Sequence, residues 1–160
     1  MATRIKRATP ADAALLWQWR NDPIVRNNSF NTEVIPWEEH AKWFNQRVAA
    51  DDTRIYLLED NSKVVAQVRY ERSEGFAHIG GISVAADDRG KGYGRQVLQA
   101  TLSLACADLG VEKVIAIVKK ANTASLRSFR SVGFVLEESV MERGNVCSRL
   151  VYSCHQTPAT

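Results

Sequence analysis

A glycine-rich stretch at residues 85–95 has the composition of a phosphate-binding loop. Three glycines alternate there with three cationic side chains: Gly90, Gly92, Gly94, Arg89, Lys91 and Arg95. Glycine leaves backbone N–H groups uncovered, and cationic side chains add charge that can meet phosphate oxygens. The stretch therefore predicts a site for a phosphorylated ligand, with a plain glycine-rich turn as the alternative.

The loop lies between a predicted strand and a predicted helix. An apolar run precedes it, and apolar side chains recur at helical spacing over residues 97–109, with Gly110 as the C-cap. Because a helix N-terminus carries partial positive charge, bare amides there favour an anion. A Walker loop does not fit, since Lys91 is followed by Gly92, and a dinucleotide fingerprint does not fit, since Arg95 occupies the place of its third glycine.

Length and charge indicate a single domain that binds a small anionic ligand. The chain has 160 residues and a formal net charge of +3. Its Lys and Arg residues are dispersed, which argues against nucleic acid as a partner. The sequence has no apolar run of membrane-spanning length and no signal-peptide pattern, so we expect a cytoplasmic protein without a membrane anchor. We predict one domain at residues 1–154 and a disordered tail at residues 155–160.

The cysteines predict neither a metal site nor a disulfide. Cys106, Cys147 and Cys154 lie on apolar periodic segments, and their spacing is not that of metal ligands. An odd number of cysteines favours reduced, buried thiols in the cytoplasm. A catalytic cysteine is disfavoured, because none lies in a polar loop.

The remaining pattern predicts an α/β (α+β) fold with a mixed sheet and about four helices on both faces. Strands are predicted at residues 3–8, 54–59, 63–72, 76–84, 113–119, 134–141 and 146–154. Helices are predicted after an N-cap at Thr9, from Pro36, after the glycine loop, and over residues 121–132 with Asn122 as N-cap. Residues 24–34 show no period and are predicted to form a polar loop or a broken helix.

Two motifs resemble those of the GNAT superfamily of N-acetyltransferases. Arg89, Gly92 and Gly94 have the R-x-x-G-x-G spacing of its pyrophosphate loop, and Asn122 and Phe129 lie in a second signature that ends at Gly133-Phe134. The element order is similar along nearly the whole chain. The resemblance implies a seven-stranded, mostly antiparallel sheet with splayed fourth and fifth strands. It also implies direct acetyl transfer from acetyl-CoA to a primary amine, and it allows a homodimer.

The resemblance assigns the cofactor to the end of the fourth strand, the glycine loop and the last helix. The expected cofactor-binding residues are Ile82, Ser83, Val84, Arg89, Gly90, Lys91, Gly92, Tyr93, Gly94, Arg95, Asn122, Ser125 and Phe129. A backbone N–H near Val84 is expected to polarise the thioester. The Gly80-Gly81 pair marks a bulge or a close backbone approach in that strand.

The resemblance suggests His78 as the catalytic base. In histone-acetylating members, a glutamate base lies about eleven positions before the R-x-x-G-x-G motif, and the same offset from Arg89 gives His78. An imidazole titrates near neutrality, although a histidine on a strand often has a structural role only.

The general acid has no obvious candidate in the sequence. Many members have a tyrosine at the position of Phe129, which cannot donate a proton. Ser125, Tyr93, Tyr152 or water remain as acids, or no acid is used. A non-catalytic acyl-CoA sensor is the alternative of another class.

The resemblance implies an acceptor site built by the region of the first two helices, with its informative segment within residues 19–44, and by the hairpin of the last two strands. The motif W-R-N-D-P-x-V-R resembles the RimJ/RimL-like branch, which acetylates protein N-termini. The longer pattern is more similar to enzymes that acetylate nucleotide-linked amino sugars in pseudaminic-acid synthesis. The candidate acceptor residues are Arg20, Asn21, Arg26, Ser29, Phe30 and Asn31. Arg20 and Arg26 would hold a diphosphate and Phe30 or Trp43 would stack on uracil, unless Arg20 only closes its helix and Trp43 belongs to the core. Protein N-termini and other small amines remain alternatives.

Overall fold

A seven-stranded mixed sheet lies at the centre of the fold. The computed structural model describes residues 2–155. The strands are β1 (Thr3–Arg7), β2 (Thr53–Asp60), β3 (Lys63–Ser73), β4 (Phe76–Val84), β5 (Lys113–Lys119), β6 (Val135–Glu142) and β7 (Asn145–Ser153). The α-helices are α1 (Ala13–Arg20), α2 (Pro23–Asn28), α3 (Trp37–Ala49), α4 (Tyr93–Leu109) and α5 (Thr123–Ser131). All seven predicted strands are present, and their ends differ from the predicted ones by one residue at most.

The strand order confirms the predicted mixed, mostly antiparallel sheet. Along the sheet the order is β1-β2-β3-β4-β5-β7-β6, and β4–β5 is the parallel pair. The described residues form five α-helices rather than about four, because part of the segment predicted as a loop or broken helix is α2. Asp22 caps α2 by accepting the N–H groups of Ile24 and Val25 at 3.0 and 3.4 Å, and Pro23 occupies its first position.

β4 and β5 pair over only two positions and then separate. Ala77 pairs with Val114 and His78 with Ile115, while β4 runs on to Val84 without further partners on β5. The splayed strands that the family resemblance implied are therefore present. The sheet has a gap in its middle, bordered by the second halves of both strands.

A bulge at Gly80 decides which way β4 presents its side chains. In the β3–β4 ladder, Arg69 pairs with Gly81 but Tyr70 pairs with Ile79, so Gly80 is an extra residue. Side chains alternate along a strand, and one extra residue reverses that alternation. Ile79 therefore packs with Tyr70 in the core beneath α4, and His78 is turned to the opposite face of the sheet. The expected bulge is confirmed.

The sheet packs against helices on both faces. One hydrophobic core lies between the sheet and α4, and it includes Val97, Leu98 and Leu102. A smaller core on the other face joins α1 and α3 to β2 through Leu16 and Phe44. Among residues 2–155, no helix has the length and apolar composition needed to cross a membrane. Of the predicted tail, residues 156–160 lie outside the described residues, and the single domain at 1–154 stays a prediction.

The prediction of three reduced thiols is wrong for two of the cysteines. Cys106, in the last part of α4, forms a disulfide with Cys154, which follows β7. Cys147 is free and buried, and burial raises the pKa of its thiol. Neither sequence spacing nor an odd count reveals that the end of α4 and the end of β7 meet. The cysteines therefore no longer support the cytoplasmic assignment, which stays a prediction.

We expect reduction of the Cys106–Cys154 disulfide to destabilise the protein. The bridge closes a loop with a sequence separation of 48, which corresponds to about 4 kcal/mol of chain entropy in the unfolded state. Chemical denaturation with and without reductant measures the difference, and a Cys106→Ala/Cys154→Ala variant should not respond to reductant. Titration of the denatured, unreduced protein should count one free thiol; three free thiols would contradict the bridge.

Candidate active site

Two cavities meet at the gap between β4 and β5. The first, about 570 Å³, is lined by the glycine loop and the start of α5, and we call it the loop cavity. The second, about 540 Å³, lies on the face of α1 and α3 and has four arginines in its wall, and we call it the arginine cavity. Residues 79–83 of β4 line both. A ligand held in one cavity can therefore reach a ligand in the other through the gap.

The glycine loop has a backbone that requires glycine. Gly90 and Gly92 have φ angles of +79° and +84°, in the left-handed region, and both have open space where a Cβ would be. The requirement is thus conformational rather than steric. Gly92 is the N-cap of α4, so the first amides of that helix lack acceptors within the helix and lie beside the loop cavity. This arrangement suits an anion such as a diphosphate.

Most of the predicted cofactor residues line the loop cavity. Those present are Ile82, Ser83, Val84, Arg89, Gly90, Gly92, Tyr93, Gly94, Asn122, Ser125 and Phe129. Two are not in its lining. The Lys91 ammonium bonds the Asp88 carboxylate at 3.1 Å, and Arg95 lies on the exposed surface of α4. Sequence reasoning missed Arg127 and Ser128, although their spacing from Ala124 places all three on one face of α5.

Arg89 joins the glycine loop to α2 through Asp22. Its guanidinium lies 3.2 Å from Asp22 Oδ1. Burial raises the pKa of Asp22, but the N–H of Ile24 and the charge of Arg89 outweigh that effect, and the pKa is lowered overall. The carboxylate is therefore charged at neutral pH. A bound phosphate would compete with Asp22 for Arg89.

Asn122 caps α5 and also faces the loop cavity. Its Oδ1 accepts the Ser125 N–H at 3.2 Å, as the sequence predicted, and both residues line the cavity. Phe129 forms part of the core, where it packs edge-to-face against Phe134 with 5.0 Å between ring centroids. Its ring therefore gives the cavity an apolar wall at the position where many GNAT proteins have a tyrosine.

The two tyrosines considered as acids are engaged elsewhere. The Tyr93 hydroxyl donates a short hydrogen bond to the buried carboxylate of Asp60, and that bond, together with burial, raises the pKa of Tyr93. Tyr152 is buried beside Phe134 and lines neither cavity. Of the three candidate side chains, Ser125 is the one that lines the loop cavity and has no hydrogen-bond acceptor for its hydroxyl among residues 2–155.

Cations exceed carboxylates in the wall of the arginine cavity. Arg20, Arg47, Arg69 and Arg143 line it together with two acids, Glu71 and Glu142. Arg69 is paired with Glu71 at 2.7 Å. Within residues 2–155, none of the other three arginines forms an ion pair. Charges of one sign in a cleft attract a ligand of the other sign.

Arg20 is held by aromatic side chains of α3. Its guanidinium lies 4.5 Å from the ring centroid of Trp43, and its Nη1 lies 3.5 Å from Nδ1 of His40. Nε2 of His40 lies 3.0 Å from the carbonyl of Ala13, so this nitrogen carries the proton and Nδ1 can accept from Arg20. Burial lowers the pKa of His40, which keeps the imidazole neutral. Arg20 is thereby fixed at the cavity without an ion pair among residues 2–155, although the charge of Glu39 acts on it.

Four of the six predicted acceptor residues line the arginine cavity. They are Arg20, Ser29, Phe30 and Asn31. Asn21 instead bonds the backbone of Ile35 at 2.8 and 3.0 Å, and Arg26 donates to the carbonyl of Asn21 at 3.0 Å. These two residues shape the loop before α3. Their polar groups are used on the backbone, which a sequence pattern does not show.

Trp43 was expected to be able to stack on uracil, but cationic side chains already contact its ring. Two guanidinium groups, of Arg20 and Arg69, lie 4.5 and 4.7 Å from its ring centroid. Phe30 has cations at a larger distance, since Lys119 and Arg143 lie 5.9 Å from its ring. Of the two aromatic candidates, Phe30 is therefore the one that cations cover less closely.

His78 lies in the wall of the arginine cavity, beside the part of β4 that borders both cavities. It is half-buried, and Glu71 lies across from it on β3. The Gly80 bulge is what turns it to this face. Counting about eleven positions back from Arg89 thus identified a residue that faces the cavity, although that count took no account of the bulge.

Comparison with known proteins agrees with this architecture. A family model described as an acetyltransferase (GNAT) domain matches residues 3–135. An uncharacterised protein of Methanocaldococcus jannaschii is 30% identical over an alignment of 137 positions, which covers 81% of this chain but 27% of that protein's length. An L-amino acid N-acyltransferase of Escherichia coli is 26% identical, with 91% of this chain and 87% of the relative covered.

A solved structure has the same fold. Spermidine N-acetyltransferase of Vibrio cholerae, in complex with CoA and spermine, superposes with a TM-score of 0.84. The two sequences are 18% identical, and the match covers 94% of this chain and 95% of the other. The similarity in fold extends over nearly the whole sheet and its helices.

We expect Gly92→Ala to weaken acetyl-CoA binding by about tenfold or more. An alanine at a φ of +84° is strained by about 1–3 kcal/mol, and the free loop can relieve that strain only by leaving the shape that exposes its amides. Gly75→Ala is the matched control, since Gly75 has a φ of +85°, equally open surroundings and a place in the β3–β4 turn. Calorimetric titration measures both; equal affinities would contradict the role of the loop.

Proposed function

Because the chain belongs to the acetyltransferase (GNAT) domain family, we propose that it acetylates the amino group of a nucleotide-linked amino-deoxy sugar. The family assignment confirms the predicted class of enzyme, an N-acetyltransferase. It also confirms acetyl-CoA as the cofactor, in agreement with the CoA bound to the V. cholerae enzyme. The RimJ/RimL-like branch and the pseudaminic-acid type of acceptor stay predictions.

The loop cavity has the features that acetyl-CoA requires. The open amides at the start of α4, with Arg89 beside them, fit a diphosphate. The unpaired edge of β4 fits an extended amide-bearing chain, because its backbone groups have no partners on β5. When bound, acetyl-CoA supplies a thioester, whose carbonyl carbon accepts a nucleophile.

The residues at the gap have a role in each part of the transfer. His78 takes a proton from the acceptor ammonium, directly or through water, so that the amine nitrogen can attack. A backbone N–H near Val84 stabilises the charge that develops on the carbonyl oxygen. The new N–C bond forms as the C–S bond breaks, the electron pair leaves with sulfur as thiolate, and the second proton of the nitrogen passes to that thiolate through Ser125 or water. A thiolate is a good leaving group, so Ser125 or water suffices as the proton source.

The excess of arginine in the second cavity carries the acceptor assignment. Arg20, Arg47 and Arg143 form no ion pair among the described residues and can meet the oxygens of a diphosphate. Ser29 and Asn31 offer hydrogen bonds for sugar hydroxyls. A volume of about 540 Å³ is within the range of pockets for ligands of drug size.

An L-amino acid is the second candidate acceptor. The E. coli relative acts on such substrates, and an α-carboxylate would use the same arginines. Spermidine, the substrate of the V. cholerae enzyme, is a polycation, and the charge of the arginine cavity disfavours it here. A protein N-terminus, as an acceptor, does not require an anionic group beside its amine. A sensor that only binds acyl-CoA would not need a cavity with a base next to the gap.

Release of CoA thiol from acetyl-CoA distinguishes these acceptors. The panel contains a UDP-4-amino sugar, an L-amino acid, an N-terminal peptide and spermidine, and we expect release with the UDP-amino sugar. Arg47→Gln should raise the KM for that acceptor about tenfold, because it removes one charge-assisted contact, while the exposed Arg130→Gln should not. Release with the peptide or spermidine alone would contradict an anionic acceptor. No release with any amine, despite acetyl-CoA binding, would favour the sensor.

His78→Ala tests the base. We expect kcat/KM to fall about 10²–10⁴-fold and its pH profile to change, because no side chain then takes the ammonium proton. Calorimetric affinity for acetyl-CoA should be unchanged, since His78 is not in the loop cavity. A pH profile of kcat/KM identical to that of the wild-type protein would remove His78 from the mechanism.

A further inference from the structure

Arg69 of β3 contacts the bulge of β4 directly. Its Nη2 donates to the carbonyl of Gly80 at 2.6 Å, and its Nε donates to Glu71 at 2.7 Å. Its Cζ lies 4.7 Å from the ring centroid of Trp43, and its side chain is only 19% exposed. Three different elements thus converge on one guanidinium under the gap.

Gly80 and Arg69 fit each other closely. A Cβ at position 80 would lie 2.6 Å from Nε and 2.8 Å from Nη2 of Arg69, which is too close for the guanidinium to stay in place. At Gly81, the nearest atom would be Nη1 of Arg69 at 3.5 Å, an ordinary contact. The glycine at position 80 is therefore explained by the arginine beside it, because its φ is not in the left-handed region.

A buried arginine needs a compensating role. Burial lowers the pKa of Arg69, whereas the neighbouring Glu71 opposes that shift. The extra residue of a bulge is left out of the strand ladder, so its carbonyl is free to accept from a side chain. Arg69 supplies a charge-assisted bond to it, and the planar guanidinium can bond Glu71 and contact Trp43 at the same time.

We propose that Arg69 is a positioning residue for acetyl transfer, which fixes the Gly80 bulge and thereby keeps His78 turned into the arginine cavity. Without the bulge, regular alternation from Val84 back along β4 would direct position 78 to the face of α4. The base would then point away from the acceptor. The inference rests on the proposed role of His78, and it adds a residue that touches neither the cofactor nor the reacting atoms.

Comparison of Arg69→Met with Arg72→Met tests this role. Arg72 is also on β3 and also donates to a backbone carbonyl, that of Leu109 at 2.9 Å, but it lines neither cavity. We expect Arg69→Met to lower kcat for thiol release about 10²-fold, as a misplaced catalytic group does, with the KM for acetyl-CoA within about twofold. Its pH profile should change, whereas Arg72→Met should keep both kcat and the profile.

Two further variants separate positioning from charge. Arg69→Lys keeps the charge but loses the planar guanidinium and its several N–H donors, so it should not restore kcat. Gly80→Ala displaces the guanidinium and should reproduce the loss. Rescue by lysine, or a Gly80→Ala variant with the kcat of the wild-type protein, would overturn the proposal.

A measurement without acceptor keeps the proposal testable if the proposed function fails. The imidazole NMR signals of His78, assigned with His78→Ala, should shift in Arg69→Met and stay in place in Arg72→Met, in spectra that also show each variant to be folded. Unchanged His78 signals in folded Arg69→Met would overturn the positioning role. Absence of thiol release from the wild-type protein with every amine would count against the proposed function alone.

Discussion

The separation of β4 from β5 is the constraint on which the rest of the structure depends. Two residue pairs hold the strands together, and beyond His78 and Ile115 the sheet is open. An open sheet leaves backbone groups without partners, and such groups need a ligand or water to satisfy them. The glycine loop at the end of β4 and the cap of α5 after β5 both border the opening. The fold therefore leaves one gap in the sheet, and the anion-binding and polar groups lie around that gap.

Both cavities have positive potential, but it comes from different groups in each. In the loop cavity, the open backbone amides of α4 supply positive potential together with Arg127 and with Arg89, which is shared with Asp22. In the arginine cavity, side-chain cations supply it, and they are only partly neutralised. His78 stands in the second cavity, beside the stretch of β4 common to both. A single extra residue in β4 sets this arrangement, because it decides the face on which the base lies.

The sequence was most informative where local chemistry decides the structure. The glycines at 90 and 92, the helix that follows them and the Asn122 cap depend on neighbours in the chain, and they were predicted correctly. The Cys106–Cys154 bridge, the backbone bonds of Asn21 and the guanidinium groups around Trp43 depend on distant elements. No local pattern contains them. His78 is intermediate, since the count reached it but only the β3–β4 register shows which way it faces.

Hydrogen exchange of the backbone amides, with and without acetyl-CoA, tests most directly whether the gap between β4 and β5 is open to a ligand. Amides of residues 79–84 that are not bonded to β3, and those of the first turn of α4, should exchange fast in the free protein and become protected when acetyl-CoA binds. The β1–β2 ladder, which is paired throughout, should not change. Slow exchange in the free protein of every amide over residues 79–84, including those that face β5, or protection that appears only elsewhere, would contradict a ligand site between the parted strands.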